Sequence, residues 1–137
     1  MASHKHLIRR FITEVLNKGN LSAADDLLAT DFVLHHPASS EGIRGPDSQK
    51  ALITKFRTAF PDFHVTVEDV IAEGAKVAVR FTSRGTHQGD FMGHVPSGRH
   101  AVWTGIEIYR VTRGRITERW VNVDMLGLLR QLGFVTQ

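Results

Sequence analysis

The segment near the C-terminus carries the residues whose types and spacing could do chemistry. Arg113-Gly114 is typical of a two-residue turn between two strands of alternating apolar and polar residues. With Thr112 opposite Arg115, strand alternation places acids and an amide among large aromatic side chains on one face. That face would carry Trp103, Gly105, Glu107, Tyr109, Glu118, Trp120, Asn122 and Asp124. Such a face fits the wall of a small-molecule pocket, where apolar surface supplies contact and a few polar groups orient the ligand.

The same register predicts specific neighbours across the hairpin. Trp103 would pair with Asp124 and Glu107 with Trp120, and the opposite, apolar face would carry Ile106, Ile108, Val121 and Val123. Four residues along a strand span roughly 13 Å, so Glu107 and Asp124 would be too far apart to share a proton.

Asp124 is the first candidate for a catalytic group. Partial desolvation beside Trp103 and Asn122 would make its carboxylate a stronger proton acceptor. Asp124 also directly precedes a predicted helix over residues 125–132, where an aspartate is a favoured N-cap. The two interpretations, general base and helix cap, are compatible and both stay open.

The other residues of this face also have two interpretations each. Glu107 is either an acid or hydrogen-bond partner in the pocket, or a structural acid paired with an arginine such as Arg80. Trp103, Trp120 and Tyr109 either stack on a flat ligand or fill the core.

The elements that position these residues follow from hydrophobic periodicity. Helical spacing predicts a first helix from Ser3, as N-cap, to Gly19, and further helices from Ser22 through Ala29 and from Pro46 to Pro61. Between them lie an extended segment, 31–36, and a loop, 38–45. Alternation then predicts four antiparallel strands, at 63–72, 76–86, 99–112 and 115–123, with a glycine-rich connection over 85–98. Because helices precede an antiparallel meander, we expect an α+β fold in which a strongly curved sheet wraps the helices on its concave side.

Length and composition narrow the classes of protein. A chain of 137 residues suits a single domain, 1–137, and has no apolar stretch long enough for a membrane span. The N-terminus lacks the features of a signal peptide, which predicts a cytoplasmic protein. The absence of cysteine excludes thiolate chemistry and disulfides. The net charge of +3 forms no basic stripe, so neither a nucleic acid nor a membrane is an expected partner.

Short motifs spread over nearly the whole chain match, as a set, the pattern of a known family. They lie at 31–35, 59–62, 68–74, 85–87, 98–99, 105–110, 114–120 and 126–133. Together they resemble the SnoaL-like polyketide cyclase or ester-cyclase family of the nuclear transport factor 2-like superfamily. The resemblance implies a cone-shaped, commonly dimeric α+β fold with a deep cavity between sheet and helices. It also implies a cofactor-free intramolecular aldol ring closure, in which an aspartate at the position of Asp124 is the general base.

The resemblance singles out two histidines, His35 and His87, as hydrogen-bond donors to a developing enolate oxygen or as substrate contacts. A metal site is not predicted, because no two of His35, His36, His87 and His94 share a recognised ligand spacing on one element. Ser97 does not lie in a nucleophile elbow, which argues against a serine hydrolase.

We therefore predict a cofactor-independent enzyme that removes a proton next to a carbonyl and closes a ring in an apolar or aromatic, polyketide-like compound. Its catalytic residues would be Asp124 and His35, and its substrate contacts Trp103, Glu107, Tyr109, Trp120, Asn122 and His87. A homodimer is expected. The alternatives are a non-catalytic module for ligand binding or dimerisation, and an epoxide hydrolase, which would need Asp124, Glu107 and an arginine to converge.

Overall fold

The computed structural model describes residues 3–37 and 39–136, so Ala38 and both chain ends lie outside the described part. Helix α1 spans His4–Arg10 and continues as a π-helical segment, Phe11–Asn17; α2 is Ser22–Leu27, α3 is Pro46–Ala59 and α4 is Met125–Leu132. The strands are β1 Leu28–His36, β2 Ser39–Arg44, β3 His64–Glu73, β4 Lys76–Thr86, β5 His100–Thr112 and β6 Arg115–Val123. No described helix is both long and apolar enough to cross a membrane.

The described strands form one curved, unclosed sheet in the order β2-β1-β6-β5-β4-β3. Strand β1 runs parallel to β6, and the other neighbouring strands are antiparallel. The α+β class and the curved sheet are confirmed. The expectation of four strands is wrong: the extended segment extends the sheet beside β6, and most of the predicted loop at 38–45 forms β2.

The N-terminal helix packs one wide apolar face on the sheet. Ser3 caps it as predicted, since its Oγ accepts a hydrogen bond from the backbone N–H of His6 at 3.1 Å. The second half winds as a π-helix, and its four apolar residues, Phe11, Ile12, Val15 and Leu16, are all buried. The Asn17 carboxamide then hydrogen-bonds the backbone of Val65 in both directions, at 2.7 and 3.0 Å, which fixes the helix on β3.

The hairpin β5–β6 turns where the sequence predicts, but its register differs. Arg113 and Gly114 both have positive φ, 53° and 76°, and Thr112 pairs with Arg115. A β-bulge follows, because Val111 pairs with Ile116 whereas Arg110 pairs with Glu118. Thr117 is therefore the extra residue of β6.

Beyond the bulge, each β6 side chain points to the face opposite to the one that simple alternation predicts. Glu107 pairs with Val121 rather than Trp120, and Gly105, not Trp103, is the last β5 residue paired with β6. The predicted single face is therefore wrong for half of its members. Trp103, Glu107 and Tyr109 point inward from β5 and are buried, as are Arg119 and Val121 of β6. Glu118, Trp120 and Asn122 occupy the outer face.

Helix α4 covers the part of β5 that β6 leaves open. The Gln131 carboxamide accepts from the backbone N–H of Val102 at 2.8 Å and donates to its carbonyl at 2.7 Å. Leu128 and Leu132 are buried on the helix face that meets Trp103. Burying a leucine side chain contributes roughly 1.5–3 kcal/mol, so this packing holds the helix against the sheet.

Candidate functional site

The concave face of the sheet and the helices line a cavity of about 670 Å³ that is open to solvent on one side. Most of its lining is apolar, from both strands and helices. Its apolar and aromatic wall includes Leu16, Leu34, Leu52, Ile53, Phe56, Phe63, Val65, Phe81, Phe91, Trp103, Val121, Val123 and Met125. Its charged and polar lining includes His36, Thr54, Lys55, Thr58, Ser83, Asp90, Glu107 and Arg119. A cavity of this volume and lining can hold a drug-sized molecule that is itself largely apolar.

A buried ion pair forms one part of the cavity wall. The Arg119 guanidinium donates from Nη2 and Nε to the same Glu107 oxygen, Oε2, at 2.7 and 3.0 Å. The Tyr109 hydroxyl donates to the other oxygen, Oε1, at 2.5 Å. The Glu107 side chain is 1% exposed and that of Arg119 11%. Both carboxylate oxygens of Glu107 are thus engaged, and the pair is held rigidly.

Burial and charge set the protonation states of this cluster. Burial is the largest effect on Tyr109 and raises its pKa well above the ordinary value; Glu107 adds to the rise and Arg119 opposes it. Tyr109 is therefore a neutral hydrogen-bond donor. Burial by itself would lower the pKa of Arg119, but the Glu107 carboxylate and Tyr109 more than offset it, and the pKa is raised. Arg119 carries a fixed positive charge.

Gln49 of α3 extends the cluster. Its Oε1 accepts a hydrogen bond from Arg119 Nη1 at 3.3 Å, which fixes the orientation of the carboxamide, because its NH₂ group cannot accept from a guanidinium. Gln49 is fully buried, and its Nε2 has no partner among the described residues. An unpaired buried donor costs about 1–3 kcal/mol, so an acceptor beside Gln49 would stabilise the cluster.

The connection between β4 and β5 brings a second carboxylate to the cavity. The backbone N–H groups of Gln88 and Gly89 both donate to the carbonyl of Ala59, at the end of α3. A Cβ on Gly89 would lie 2.1 Å from the Thr58 carbonyl oxygen, so only glycine permits this close approach. The next residue, Asp90, lines the cavity and makes no side-chain hydrogen bond or ion pair with a described residue.

His87 hydrogen-bonds a residue of this connection and does not line the cavity. It is fully buried, and its Nδ1 accepts the backbone N–H of Ser97 at 3.0 Å. Its Nε2 has no partner among the described residues. The expected substrate contact at His87 therefore lies behind the wall.

Asp124 lies at an exposed position outside the cavity lining. Its Oδ1 accepts from the backbone N–H of Gly127 at 2.9 Å, so it caps α4. A Cβ on Gly127 would lie 2.1 Å from Asp124 Oδ2, which shows how tightly the carboxylate covers this helix end. Asp124 borders instead a shallower depression, together with Arg80 and the exposed Asn122.

His35 and Trp120 lie together on the outer face. Their rings stack with centroids 5.3 Å apart, and His35 Nε2 lies 2.8 Å from Glu118 Oε2. Arg110 Nε donates to the other Glu118 oxygen at 3.1 Å. The structure thus separates these two expected site residues from the cavity.

Of the eight expected site residues, Trp103 and Glu107 line the cavity, and Tyr109 stands directly behind Glu107. The arginine that pairs with Glu107 is Arg119 and not Arg80.

The sequence pattern does not predict four further residues of the cavity wall or its charged cluster: Arg119, Asp90, Ser83 and Gln49. A signal for Arg119 exists in the sequence: the apolar residues Ile116 and Val121 lie an odd number of positions apart, which is compatible with one core face only if a bulge lies between them. In the described part of the chain, no three His, Asp or Glu residues come together as a metal site would need.

The structure is thus a small α+β protein whose curved sheet and helices surround a largely apolar cavity with a buried ion pair in its wall. The chain belongs to the SnoaL-like polyketide cyclase family, whose sequence model matches residues 6–132. No curated protein sequence is significantly similar to it.

Several solved structures share this fold over nearly the whole chain. IdmH of Streptomyces antibioticus, described as a proposed polyketide cyclase, is 34% identical, with a TM-score of 0.81 over 94% of this chain and 97% of its own. AclR of Streptomyces galilaeus, described as a proposed hydroxylase, is 29% identical, with a TM-score of 0.85 over 97% of this chain and 86% of its own. A proposed polyketide cyclase of Acidithiobacillus ferrooxidans is 28% identical, with a TM-score of 0.85 over 99% and 100%.

Proposed function

We propose that the protein is a cofactor-independent cyclase or isomerase that binds an apolar or aromatic carbonyl compound in the cavity. The observation that carries this proposal is the fixed Arg119–Glu107 pair in the wall of an otherwise largely apolar cavity of about 670 Å³. Apolar walls supply contact area, and the buried Arg119 cation supplies a place for an oxygen that becomes negative.

Arg119 is the group that would stabilise the enolate. A guanidinium has five N–H donors, of which three are used by Glu107 and Gln49. We propose that one of the remaining N–H groups binds the ligand oxygen. Because Glu107 already holds the guanidinium in place, it needs no reorganisation when charge develops on that oxygen.

A carboxylate is needed to remove the proton, and Asp90 is our candidate because it lines the cavity with its carboxylate unengaged by the described residues. Glu107 has both oxygens engaged by hydrogen bonds, whereas Asp90 lines the cavity without a described partner. Gly89, next to Asp90, contacts Thr58 at one end of α3 and Arg119 contacts Gln49 near the other, nine residues or roughly 13 Å along the helix. Asp90 would therefore take a proton from a carbon at its own end of the ligand, and the C–H electron pair would form a conjugated enolate whose charge extends to the oxygen beside Arg119. The enolate carbon then attacks a second carbonyl carbon of the same molecule, and the alkoxide regains the proton from Asp90.

Asp124 is the base that the family resemblance implies, and the two aspartates can be compared directly. The test uses 2-tetralone in heavy water and follows the loss of its α-proton signals by nuclear magnetic resonance, which needs no knowledge of the natural substrate. We expect the wild-type protein to accelerate the exchange. Asp90→Asn should reduce the acceleration by about 10²-fold or more, the usual scale of general base catalysis.

Asp124→Asn is the matched control, because asparagine is also a good N-cap and preserves the fold. We expect it to keep the exchange rate within about twofold. Loss of exchange in Asp124→Asn with full exchange in Asp90→Asn would instead assign the base to Asp124. Absence of exchange in the wild-type protein would contradict the proposed proton abstraction.

A second candidate function, a dimerisation or ligand-binding module without turnover, is favoured by the outer face. One apolar row crosses it: Ile71 pairs with Ala78, Ala78 with Ile108, and Ile108 with Trp120. Ile71 is 62% exposed and Ile108 39%. We propose that a second copy of the chain covers this outer row, since exposed apolar patches of this kind mark interaction surfaces.

A further inference from the structure

Two uncharged donors lie in the cavity wall away from the ion pair. Ser83 of β4 and Trp103 of β5 are direct neighbours in the sheet, and both line the cavity. Each residue is nearly buried, at 2% and 3% exposure. Neither the Ser83 hydroxyl nor the Trp103 indole N–H hydrogen-bonds a described residue. Neither is among the described polar atoms that are both fully buried and unpartnered, so each keeps some accessible surface, and both residues line the cavity.

This donor pair is well separated from Arg119 and Glu107. Trp103 and Glu107 both point inward from β5 and are four residues apart, which corresponds to roughly 13 Å. Between them lies Gly105, which has no side chain, with the Phe81 ring packed over it: a Cβ on Gly105 would lie 2.4 Å from Phe81 Cζ. The wall between the two polar points is therefore apolar.

We infer that Ser83 and Trp103 form a second binding point that receives a hydrogen-bond acceptor at the end of the ligand remote from Arg119. This inference rests on the proposed function, because it concerns the ligand of the same cavity. An indole N–H only donates, and the neighbouring hydroxyl can donate as well, so the pair selects a carbonyl or ether oxygen. Because both donors are uncharged, they favour a neutral acceptor over a carboxylate.

The cavity then selects elongated compounds with an acceptor oxygen at both ends and an apolar body between them. A ligand that lacks the second oxygen would leave desolvated donors unpaired. One hydrogen bond with a net value of about 0.5–1.5 kcal/mol corresponds to about 2- to 12-fold in affinity, and two donors multiply this effect.

Binding without turnover tests the inference. The probes are 4,4′-diacetylbiphenyl and its isostere 4-acetyl-4′-ethylbiphenyl, in which one carbonyl oxygen is replaced by two hydrogens. Titration calorimetry should show that the wild-type protein binds the diacetyl probe about tenfold more tightly. Ser83→Ala and Trp103→Phe should each reduce this preference, and the double variant should abolish it. In all variants the affinity for the isostere should change by less than about threefold.

Thr82→Ala is the matched control, because Thr82 is the neighbour of Ser83 on β4 and faces the other side of the sheet. It should keep the tenfold preference. Equal binding of both probes to the wild-type protein, or an unchanged preference in Ser83→Ala, would overturn the second binding point alone. If neither probe binds the wild-type protein, the proposed carbonyl ligand is wrong as well.

Discussion

Arg119 donates two hydrogen bonds to a single carboxylate oxygen of Glu107, and Tyr109 occupies the other oxygen. The two charged residues come from neighbouring strands, β6 and β5, and meet at the cavity wall. A charge pair in this position needs both partners, since either one alone would be an uncompensated buried charge.

Glu107→Gln should therefore be strongly destabilising. The substitution keeps the shape of the side chain but leaves the Arg119 cation buried without its counter-charge, which costs about 3–5 kcal/mol. The free energy of unfolding from urea titration measures the effect. The double variant Glu107→Gln/Arg119→Met removes both charges and should recover most of the loss.

Glu14→Gln is the control for this pair. Glu14 and Lys18 form an exposed ion pair one helical turn apart, which contributes about 0.5 kcal/mol or less. A Glu107→Gln protein no less stable than Glu14→Gln would contradict the importance of the buried pair.

The titration of Tyr109 provides a second prediction. Tyr109 is the only tyrosine of the chain, so the ultraviolet absorbance of phenolate reports on this residue alone. Burial raises its pKa well above the ordinary value of 10.0. As the pH passes 10 we expect no phenolate signal from the folded protein, whereas the protein unfolded in urea should give a signal near pH 10.

The same shift makes stability depend on pH. Because the folded state keeps a proton that the unfolded state releases, the contribution is complete below pH 10 and is lost as the pH rises towards the folded pKa. The loss is about 1.4 kcal/mol per pH unit. Tyr109→Phe should lack this component of the pH dependence. A phenolate that forms near pH 10 without unfolding would show that the hydroxyl is accessible to water.

Ile108→Lys should prevent self-association through the outer row. A lysine in the centre of the row would place a charge in the interface, where it loses water without gaining a partner. Sedimentation velocity should show a dimer for the wild-type protein and a monomer for this variant.

Val95→Lys is the matched control for the dimer. Val95 is 79% exposed and lies in the connection between β4 and β5, so this variant should remain dimeric. A wild-type protein that sediments as a monomer at every accessible concentration would contradict the proposed interface.

Much of the fold follows from local signals in the sequence. The Ser3 cap, the turn at Arg113-Gly114 and the inward alternation of β5 are all where the pattern predicts them. Each depends on neighbours within a few residues. The pairing of β1 with β6 depends on residues about 85 positions apart, and no local pattern indicates it.

The candidate site was harder to predict, because its composition depends on one irregularity. The acids and aromatics of β5 were placed correctly, whereas those of β6 were placed on the wrong face, since strict alternation has no room for the unpaired Thr117. Asp90 and Gln49 were missed for a different reason. Neither belongs to a recognisable motif, and only the tertiary structure brings them to the cavity or its charged pair.

The extra residue in β6 has a consequence for how ligand preference could change among proteins of this shape. Loss of the bulge with Thr117 retained, so that Thr117 pairs with Arg110, would restore the simple alternation and exchange Arg119, Val121 and Val123 for Glu118, Trp120 and Asn122 in the interior. A one-residue shift in the pairing of this hairpin could thus invert the charge of the cavity wall with the same backbone architecture. Proteins that superimpose closely could therefore accept chemically opposite molecules.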